Sequence, residues 1–251
     1  MPSLSVVGEA AIANLDRAAV SAAGRAYKPD LVAALAVAPG HTVVDVGCGP
    51  GADLESLAAL GAQVIGIDHD PAMVAEARRR HPGLSIWLGD AHALPLATGS
   101  VDRLRADRVL QHVRDPAQAL ASMRRVLRAG GVAALADPDW DTLAIDDEDL
   151  ATSRAYTRYV TQEVIRNAVM GRQLARLAHD AGLVVRSVRP TAVCFTDYTA
   201  GDEILRLPAV TGRAVADGHL AASSAMPWLG RLATSPTFLA TVTVYTVIVS
   251  A

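Results

Sequence analysis

Val43-Val44-Asp45-Val46-Gly47-Cys48-Gly49-Pro50-Gly51 is the stretch of sequence that decides the fold. The apolar residues around Asp45 predict a buried β-strand, and the three alternating glycines predict a tight turn. Residues 52–60 then have the pattern of a helix. Glycine lets a ligand come closer to the backbone than any Cβ atom would permit. The stretch therefore predicts a nucleotide-cofactor site where a strand runs into a helix.

The composition predicts a soluble globular protein with a full core. The 251 residues are 51% hydrophobic and 20% charged, with a formal net charge of -3. This balance argues against a nucleic-acid surface, and no apolar run is long enough to cross a bilayer. Cys48 and Cys194 lie far apart, and the N-terminus does not resemble a signal peptide. We expect a cytoplasmic protein.

Further along the chain, strand patterns alternate with helix patterns, which predicts a parallel sheet covered on both faces. The two segments 138–167 and 194–237 are too long for ordinary connections and leave the carboxyl ends of strands, so we expect them to form a helical cap over the cofactor. We read the chain as one domain, 1–251, with N-terminal helices over 1–38 (one of them over 10–23) and a core of 39–137, 168–193 and 238–251. Aromatic residues in the cap predict an apolar substrate pocket, and the candidates are Trp140, Tyr156, Tyr159 and Trp228.

The glycine loop alone leaves the cofactor open. Gly47, Gly49 and Ala52 also fit the dinucleotide pattern, with Asp68 about where a ribose-binding acid is expected. A dinucleotide-binding strand is usually apolar, however, and this one contains Asp45. A buried carboxylate needs a partner, which an ammonium or sulfonium group of the cofactor can supply.

Four motifs follow one another along the chain. They are the glycine loop with Asp45, the acid Asp68, the sequence Gly89-Asp90-Ala91, and Asp107-Arg108-Val109-Leu110-Gln111-His112-Val113. Together they resemble the class I S-adenosylmethionine-dependent methyltransferases. The resemblance covers about residues 30–190 and is closest to the branch with the quinone C-methyltransferases and bacterial secondary-metabolite methyltransferases. It implies a Rossmann-like, doubly wound sheet of seven strands, mostly parallel with an antiparallel last strand.

The resemblance assigns the parts of S-adenosylmethionine to particular residues. The glycine loop takes the methionine part, the acid after the second strand takes the ribose hydroxyls, and the acid after the third strand takes the adenine amine. The end of the fourth strand contacts the amino-acid end, and an N-terminal helix often adds a tyrosine. The predicted cofactor residues are Tyr27, Asp45, Gly47, Gly49, Gly51, Asp68, His69, Asp90, Ala91 and Asp107.

Methyl transfer from a sulfonium is an in-line displacement in which the leaving group departs without help. Alignment of the reacting atoms can supply roughly 7–11 kcal/mol of the barrier reduction. A base matters only where the nucleophile loses a proton. His112, just past the fourth strand, is the best-placed candidate, and the alternative is a histidine that only packs beside the cofactor.

Two arginines depart from the apolar pattern of a central parallel strand, Arg103 and Arg105. Buried arginines need carboxylate partners. We expect an ion-pair network beneath the site. The candidate partners are Asp45, Asp102, Asp107 and Asp137.

The sequence predicts an enzyme of secondary-metabolite biosynthesis that methylates an oxygen or carbon nucleophile of a small, largely apolar metabolite. The alternatives are a quinone-ring C-methyltransferase, a cyclase that binds the cofactor without methylating, and an NAD-dependent oxidoreductase. Its partner is a small molecule rather than a nucleic acid or a membrane, and a homodimer or higher homo-oligomer is compatible with the sequence. No metal site is predicted, because Thr142 occupies the glycine position of the acidic loop that begins at Asp137.

Overall fold

The structure is a computed structural model that describes residues 12–13, 15–17 and 22–251. Its strands are β1 (Thr42–Val46), β2 (Gln63–Asp68), β3 (Ser85–Leu88), β4 (Val101–Asp107), β5 (Leu127–Ile145), β6 (Val184–Phe195) and β7 (Ala240–Ser250). Its helices are α1 (Ala22–Arg25), α2 (Lys28–Ala34), α3 (Leu54–Ala58), α4 (Pro71–Arg80), α5 (Pro116–Val126), α6 (Leu150–Tyr159), α7 (Met170–Asp180), α8 (Tyr198–Leu205), α9 (Leu207–Ala216) and α10 (Ala222–Thr234). Of the helix expected over 10–23, residues 12–13, 15–17 and 22–23 are helical, and the remaining seven lie outside the described residues.

The strands form one seven-stranded sheet in the order β3-β2-β1-β4-β5-β7-β6. The pairs from β3 to β5 are parallel, and β7 runs antiparallel to both β5 and β6. The predicted Rossmann-like sheet with an antiparallel last strand is confirmed. The strand order reverses between β1 and β4, so the carboxyl ends of these two strands flank the crevice where open α/β sheets bind ligands.

Alternate valines of β1 pack on opposite faces of the sheet, which explains why the strand is mostly apolar apart from Thr42 and Asp45. Val43 belongs to the cluster that contains Leu31 of α2, whereas Val44 belongs to the cluster that contains Leu120 of α5 and Leu174 of α7. All these side chains are fully buried. Burial of each is worth about 1.5–3 kcal/mol. Helices on both faces therefore hold the strand, and with it the glycine loop, in place.

The apolar run over 132–136 predicts a strand, and β5 extends well beyond it at both ends. Past the parallel section it continues beside β7, with Asp139 opposite Thr243 and Ile145 opposite Ala240. The segment expected to begin the cap at 138 is therefore a strand first. Its polar residues broke the apolar pattern in the sequence, although the Asp139 side chain is completely buried.

Helices from the two long connections pack together over this extension of the sheet. Helix α6 continues into a π-helical turn, Val160–Val164, and packs near α9 and α10. The ring centroids of Tyr156 and Trp228 lie 5.4 Å apart between α6 and α10. Within the described residues, no helix has both the length and the apolar character needed to span a membrane.

Candidate active site

A cleft of about 470 Å³ opens at the carboxyl ends of β1, β2 and β4. This is the switch point at which the strand order reverses. Eight predicted site residues line it, namely Gly47, Gly49, Asp68, His69, Asp90, Ala91, Asp107 and His112. The sheet topology thus brings residues from four separate motifs to one cavity.

The glycine loop turns through left-handed backbone conformations, with φ of +70° at Gly47, +55° at Gly49 and +89° at Gly51. A Cβ atom on Gly47 would lie 2.5 Å from Cγ2 of Val109, and one on Gly51 would lie 2.7 Å from Cδ2 of His81. Gly51 does not line the cleft. The turn and the His81 ring require glycine at this position, and the contact of a cofactor with Gly51 stays a prediction.

Asp68 ties the glycine loop to the end of β2. Its Oδ2 accepts a hydrogen bond from the Gly49 N–H at 2.8 Å, and its Oδ1 accepts one from the Asp70 N–H at 2.9 Å. Each carboxylate oxygen can accept more than one hydrogen bond. The side chain lines the cleft, so it retains acceptor capacity for a pair of hydroxyl groups while it holds the loop.

Asp90 lies at the start of a 3-10 turn, Ala91–Ala93, with its carboxylate largely exposed toward the cleft. Its Oδ1 accepts from the His92 N–H at 2.9 Å and lies 2.5 Å from Nδ1 of His92. These bonds, the backbone one first, hold the pKa of Asp90 below its ordinary value. The Asp115 N–H donates to Nε2 of His92 at 3.1 Å, so Nδ1 is the nitrogen that carries the proton. Asp90 is therefore an oriented, ionised acceptor.

Arg105 is the centre of a buried ion-pair network beneath the cleft. Its Nη1 donates to Asp45 at 2.9 and 3.1 Å, and its Nη2 donates to Asp53 at 2.7 Å and to Asp107 at 2.8 Å. Arg105 is only 3% exposed. The predicted network is confirmed for Arg105 with Asp45 and Asp107, and Asp53 is an additional partner. Among the described residues, Asp137 is not one.

Arg103 behaves differently from its neighbour. It is partly exposed, and its Nε donates to the Leu35 carbonyl at 2.5 Å. The prediction of a carboxylate partner for Arg103 is therefore wrong. Asp102 instead accepts from the Thr42 N–H and pairs with Arg128 at 2.7 Å. The strand remains stable because each charged group finds a hydrogen-bonding partner at the edge of the core.

Asp45 has a structural partner rather than the expected cofactor partner. It is 1% exposed and does not line the cleft. Burial raises its pKa to about 6, although Arg105 acts in the opposite direction. Burial would also raise the pKa of Asp53, but Arg105 and Lys28 together hold it below its ordinary value. The expectation that Asp45 meets a cationic cofactor group is therefore corrected, since Arg105 already neutralises it.

Asp107 presents its carboxylate to the cleft from the end of β4. The Tyr27 hydroxyl donates to its Oδ1 at 2.7 Å, and Lys28 lies 3.7 Å away. Tyr27 is 3% exposed and does not line the cleft, so it supports Asp107 instead of contacting a cofactor directly. Sequence analysis missed Lys28, which lines the cleft, because nothing in its local pattern links it to β4.

Arg108 is a second cation that sequence analysis did not single out. It lines the cleft in a left-handed backbone conformation, with φ of +58°. Its Nε is buried and has no hydrogen-bond partner among the described residues. Burial lowers the pKa of Arg108, but Tyr27 and Asp107 outweigh this effect and raise it. A buried donor without a partner indicates a ligand acceptor at this point.

His112 lines the cleft, and its backbone N–H donates to the Val109 carbonyl at 2.9 Å. Partial desolvation lowers its pKa below 6.5, and Arg108 and His69 lower it further. The imidazole is therefore neutral at neutral pH and able to accept a proton. His69, whose side chain is 84% exposed, lies 3.4 Å from Asp68.

The predicted aromatic pocket is only partly present. A second cavity of about 360 Å³ under the cap is lined by Trp140 and Tyr156. Tyr159 and Trp228 do not line it. They are fully buried, with the Tyr159 hydroxyl donating to Asp217 at 2.5 Å and Nε1 of Trp228 donating to Ser153 at 3.0 Å. Their role is to hold the cap together.

Gln111 joins the two cavities. Its side chain lines the cleft, and its Oε1 accepts from Nε1 of Trp140 at 2.7 Å. The backbone N–H groups of Leu110 and Gln111 both donate to Asp137 at 3.2 Å. Burial raises the pKa of Asp137 well above its ordinary value. The buried end of the parallel section of β5 therefore positions the segment that carries His112.

Comparison with known proteins agrees with this geometry. A family model described as "Methyltransferase domain" matches residues 44–135. The chain is 50% identical over 246 residues to an uncharacterized 37.1 kDa protein in transposon TN4556 of Streptomyces fradiae, a match that covers 96% of this chain and 71% of the relative. It is 39% identical over 100 residues to a probable S-adenosylmethionine-dependent methyltransferase of Mycolicibacterium smegmatis, covering 40% of this chain and 39% of that relative. A candidate methyltransferase of Bacillus halodurans has a similar fold, with a TM-score of 0.63 and 15% identity over 88% of this chain and 97% of that one.

Proposed function

Because this chain belongs to the class I S-adenosylmethionine-dependent methyltransferases, we propose that it methylates an oxygen or carbon nucleophile of a small, largely apolar metabolite. The observation that best supports S-adenosylmethionine as the cofactor is the position of three acids at the ends of neighbouring strands around one cleft. They are Asp68 after β2, Asp90 after β3 and Asp107 after β4. A cofactor with ribose hydroxyls, an adenine amine and an ammonium group presents hydrogen-bond donors to all three.

The remaining cofactor charge is a carboxylate, and the cleft provides cations for it. Lys28 and Arg108 line the same end of the cleft as Asp107, and the unpartnered Nε of Arg108 is a donor of the required kind. Gly47 and Gly49 line the cleft with backbone alone, so the methionine chain can lie against the loop. The described residues therefore fit S-adenosylmethionine from adenine to carboxylate.

S-Adenosylmethionine supplies an activated methyl group and a sulfonium that leaves without protonation. The contribution of this chain is to align the acceptor with that methyl group and to exclude water. Where the nucleophile is a hydroxyl or phenol, Nδ1 or Nε2 of His112 accepts its proton, since the lowered pKa keeps the ring neutral. Among the described residues no group of three metal-type ligands is present.

The acceptor side belongs to the cap. Trp140 and Tyr156 line the cap cavity, and Trp140 donates a hydrogen bond to Gln111 in the wall of the cofactor cleft. The two long connections that build this cap favour a substrate of secondary metabolism over a common quinone. We place the reaction in the cytoplasm, in line with the two unpaired cysteines.

A mass-spectrometric screen tests the proposal. The full chain is incubated with S-adenosylmethionine and fractionated metabolite extracts, and we expect a product heavier by one methylene together with an equal amount of S-adenosylhomocysteine. The Asp68→Asn and Asp90→Asn variants should lose most of this activity through a raised cofactor KM, whereas Asp180→Asn, on an exposed helix end, should not. A product of unchanged mass with no S-adenosylhomocysteine released would contradict methyl transfer and favour a cyclase.

A further inference from the structure

The cavity under the cap is mostly apolar. It lies between α6 with its π-helical turn on one side and α8 and α9 on the other. Its apolar lining consists of Trp140, Leu143, Tyr156, Val160, Val164, Ile165, Ile204, Leu205, Ala209 and Val210. Such a surface binds the hydrocarbon part of a ligand, because burial removes apolar area from water.

Two arginines, Arg206 and Arg213, complete the lining of this cavity. Both are exposed at its mouth. In the part of the chain that the structure describes, no carboxylate lies within 4.0 Å of either guanidinium, and the cavity lining contains no aspartate or glutamate. Arg213 forms a hydrogen bond with the Tyr159 hydroxyl, and that hydroxyl donates its own hydrogen bond to Asp217. The cavity therefore combines an apolar wall with two guanidinium groups that form no direct ion pair with a described carboxylate, although Asp217 faces Arg213 across the Tyr159 hydroxyl.

The backbone at Arg206 gives an independent indication that its side chain is used. This residue joins the end of α8 to the start of α9 in a left-handed conformation, with φ of +57°. Glycine or asparagine is the usual residue at such a junction, since a Cβ atom is strained there. A long cation in this position costs stability, and strain of this kind persists where the residue has a function.

The π-helical turn gives a second indication. The Ile165 N–H donates to the Val160 carbonyl at 3.0 Å, five residues earlier. The turn places Val160 and Val164 in the cavity wall, followed by Ile165. π-Helical segments are rare and occur frequently at functional sites. The local departure from an α-helix thus shapes the apolar wall opposite α8 and α9.

We propose that the methyl acceptor is an amphipathic anion. Its hydrocarbon body occupies the cap cavity, its carboxylate or phosphate contacts Arg206 and Arg213, and its nucleophile reaches the cofactor cleft beside Gln111 and Trp140. This assignment of a substrate class rests on the proposed methyl transfer. Charge complementarity at the mouth selects anions over neutral and cationic compounds of the same length.

Calorimetry with ten-carbon probes below their micellar concentrations tests the proposal on the full chain with and without S-adenosylhomocysteine. Decanoate and decyl phosphate should bind about tenfold or more tightly than 1-decanol, the increment expected for a charge-assisted hydrogen bond, and decyltrimethylammonium should bind more weakly still. The stronger of the two anions identifies carboxylate or phosphate as the natural group.

Variants separate charge from shape. Arg206→Gly should reduce anion affinity about tenfold and leave 1-decanol unchanged, while Tm stays the same or rises because the left-handed strain is relieved. Arg213→Gln gives a second measurement of the same loss if the glycine variant folds poorly. Ala209→Trp should block all ten-carbon probes by filling the cavity, and Arg79→Gln, an exposed arginine on α4, should change nothing.

Equal binding of decanoate and 1-decanol, or an anion preference that survives in Arg206→Gly and Arg213→Gln, would overturn the substrate class. That outcome is distinct from failure of the proposed function, which would appear as absence of S-adenosylhomocysteine binding to the unmodified chain. In that case, tighter binding of the ten-carbon anions than of 1-decanol, measured without S-adenosylhomocysteine, would still show that the cap cavity binds anions.

Discussion

Arg105 shows how a single residue can depart from a secondary-structure pattern for a structural reason. Three carboxylates, Asp45, Asp53 and Asp107, converge on its guanidinium beneath the cleft. Without it, Asp45 would be a buried charge with no counter-charge, at a cost of several kcal/mol, and Asp107 would keep only its longer contacts to Lys28 and Arg108. The cation also holds Asp107 where it borders the cofactor cleft. The arginine is thus part of the support of the site.

The Arg105→Met variant should lose about 3–5 kcal/mol of unfolding free energy, because removal of one partner leaves buried carboxylates unpaired. Urea denaturation measures this loss, and calorimetry should show weaker binding of S-adenosylhomocysteine. Arg79→Met, which removes an exposed arginine, is the control and should stay within about 0.5 kcal/mol. Unchanged stability and affinity in Arg105→Met would refute the network.

His112 should determine the acidic limb of the pH–rate profile if the acceptor must lose a proton. A base acts in its neutral form, so kcat/KM should fall as the pH drops through the pKa of the ring, and this pKa lies below 6.5. His112→Asn should remove the limb and reduce kcat by about 10²–10⁴-fold. Retention of the same acidic limb in that variant would show that His112 only packs beside the cofactor.

At the residue scale, the sequence predicted functional groups better than their partners. Asp68, Asp90 and Asp107 line the cleft as expected, because each follows a strand and the strand ends meet at one edge. Asp45 was assigned to a cofactor because the sequence alone cannot show that Arg105, sixty residues later, lies beside it. Lys28 reaches the cleft from a helix whose packing no local pattern specifies.

At the scale of elements, the glycine loop and β5 differ in how far local sequence determines them. The loop was predicted because positive φ values and close packing restrict its positions to glycine. β5 was predicted as 132–136 because apolar runs end there, yet its partner β7 continues the pairing to Ile145. Polar residues such as Asp139 enter that strand only because Arg172 pairs with it from α7. Strand length therefore depended on tertiary contacts.

Gly47→Ala tests the loop. A left-handed alanine costs roughly 1–2 kcal/mol, and its Cβ would lie 2.5 Å from Val109 Cγ2. We expect a lower unfolding free energy and weaker binding of S-adenosylhomocysteine, with partial recovery when Val109→Ala is added. Gly83→Ala is the matched control, since Gly83 has no strained φ and no atom within 4 Å of the added Cβ. Equal behaviour of the two alanine variants would contradict the loop geometry.

Two helical glycines should respond to alanine with opposite signs. A Cβ on Gly171 of α7 would lie 2.7 Å from the Asp137 carbonyl oxygen, so Gly171→Ala should destabilise the contact between α7 and the sheet. Gly212 of α9 has open space, and Gly212→Ala should stabilise by about 0.5–1 kcal/mol through helix propensity. Urea denaturation of both variants measures the difference. Changes of the same sign would argue against the packing described for α7.

At the scale of the whole molecule, one hydrophobic cluster runs from the face of the sheet that carries α2 into the cap, where it includes Tyr156 and Trp228. The opposite face has its own cluster around α5 and α7. The cap is therefore continuous with one face of the core, and its packing is linked to the support of the cofactor cleft. The sequence predicted that a cap exists, since both connections are long, but not its arrangement, which depends on contacts between distant helices.

Isothermal titration calorimetry of the full chain with S-adenosylhomocysteine and, separately, with NAD tests the central claim most directly. The account predicts a single saturable site for S-adenosylhomocysteine that Asp68→Asn and Asp90→Asn weaken and Asp180→Asn leaves unchanged, with no measurable binding of NAD. Saturable binding of NAD without binding of S-adenosylhomocysteine would contradict it.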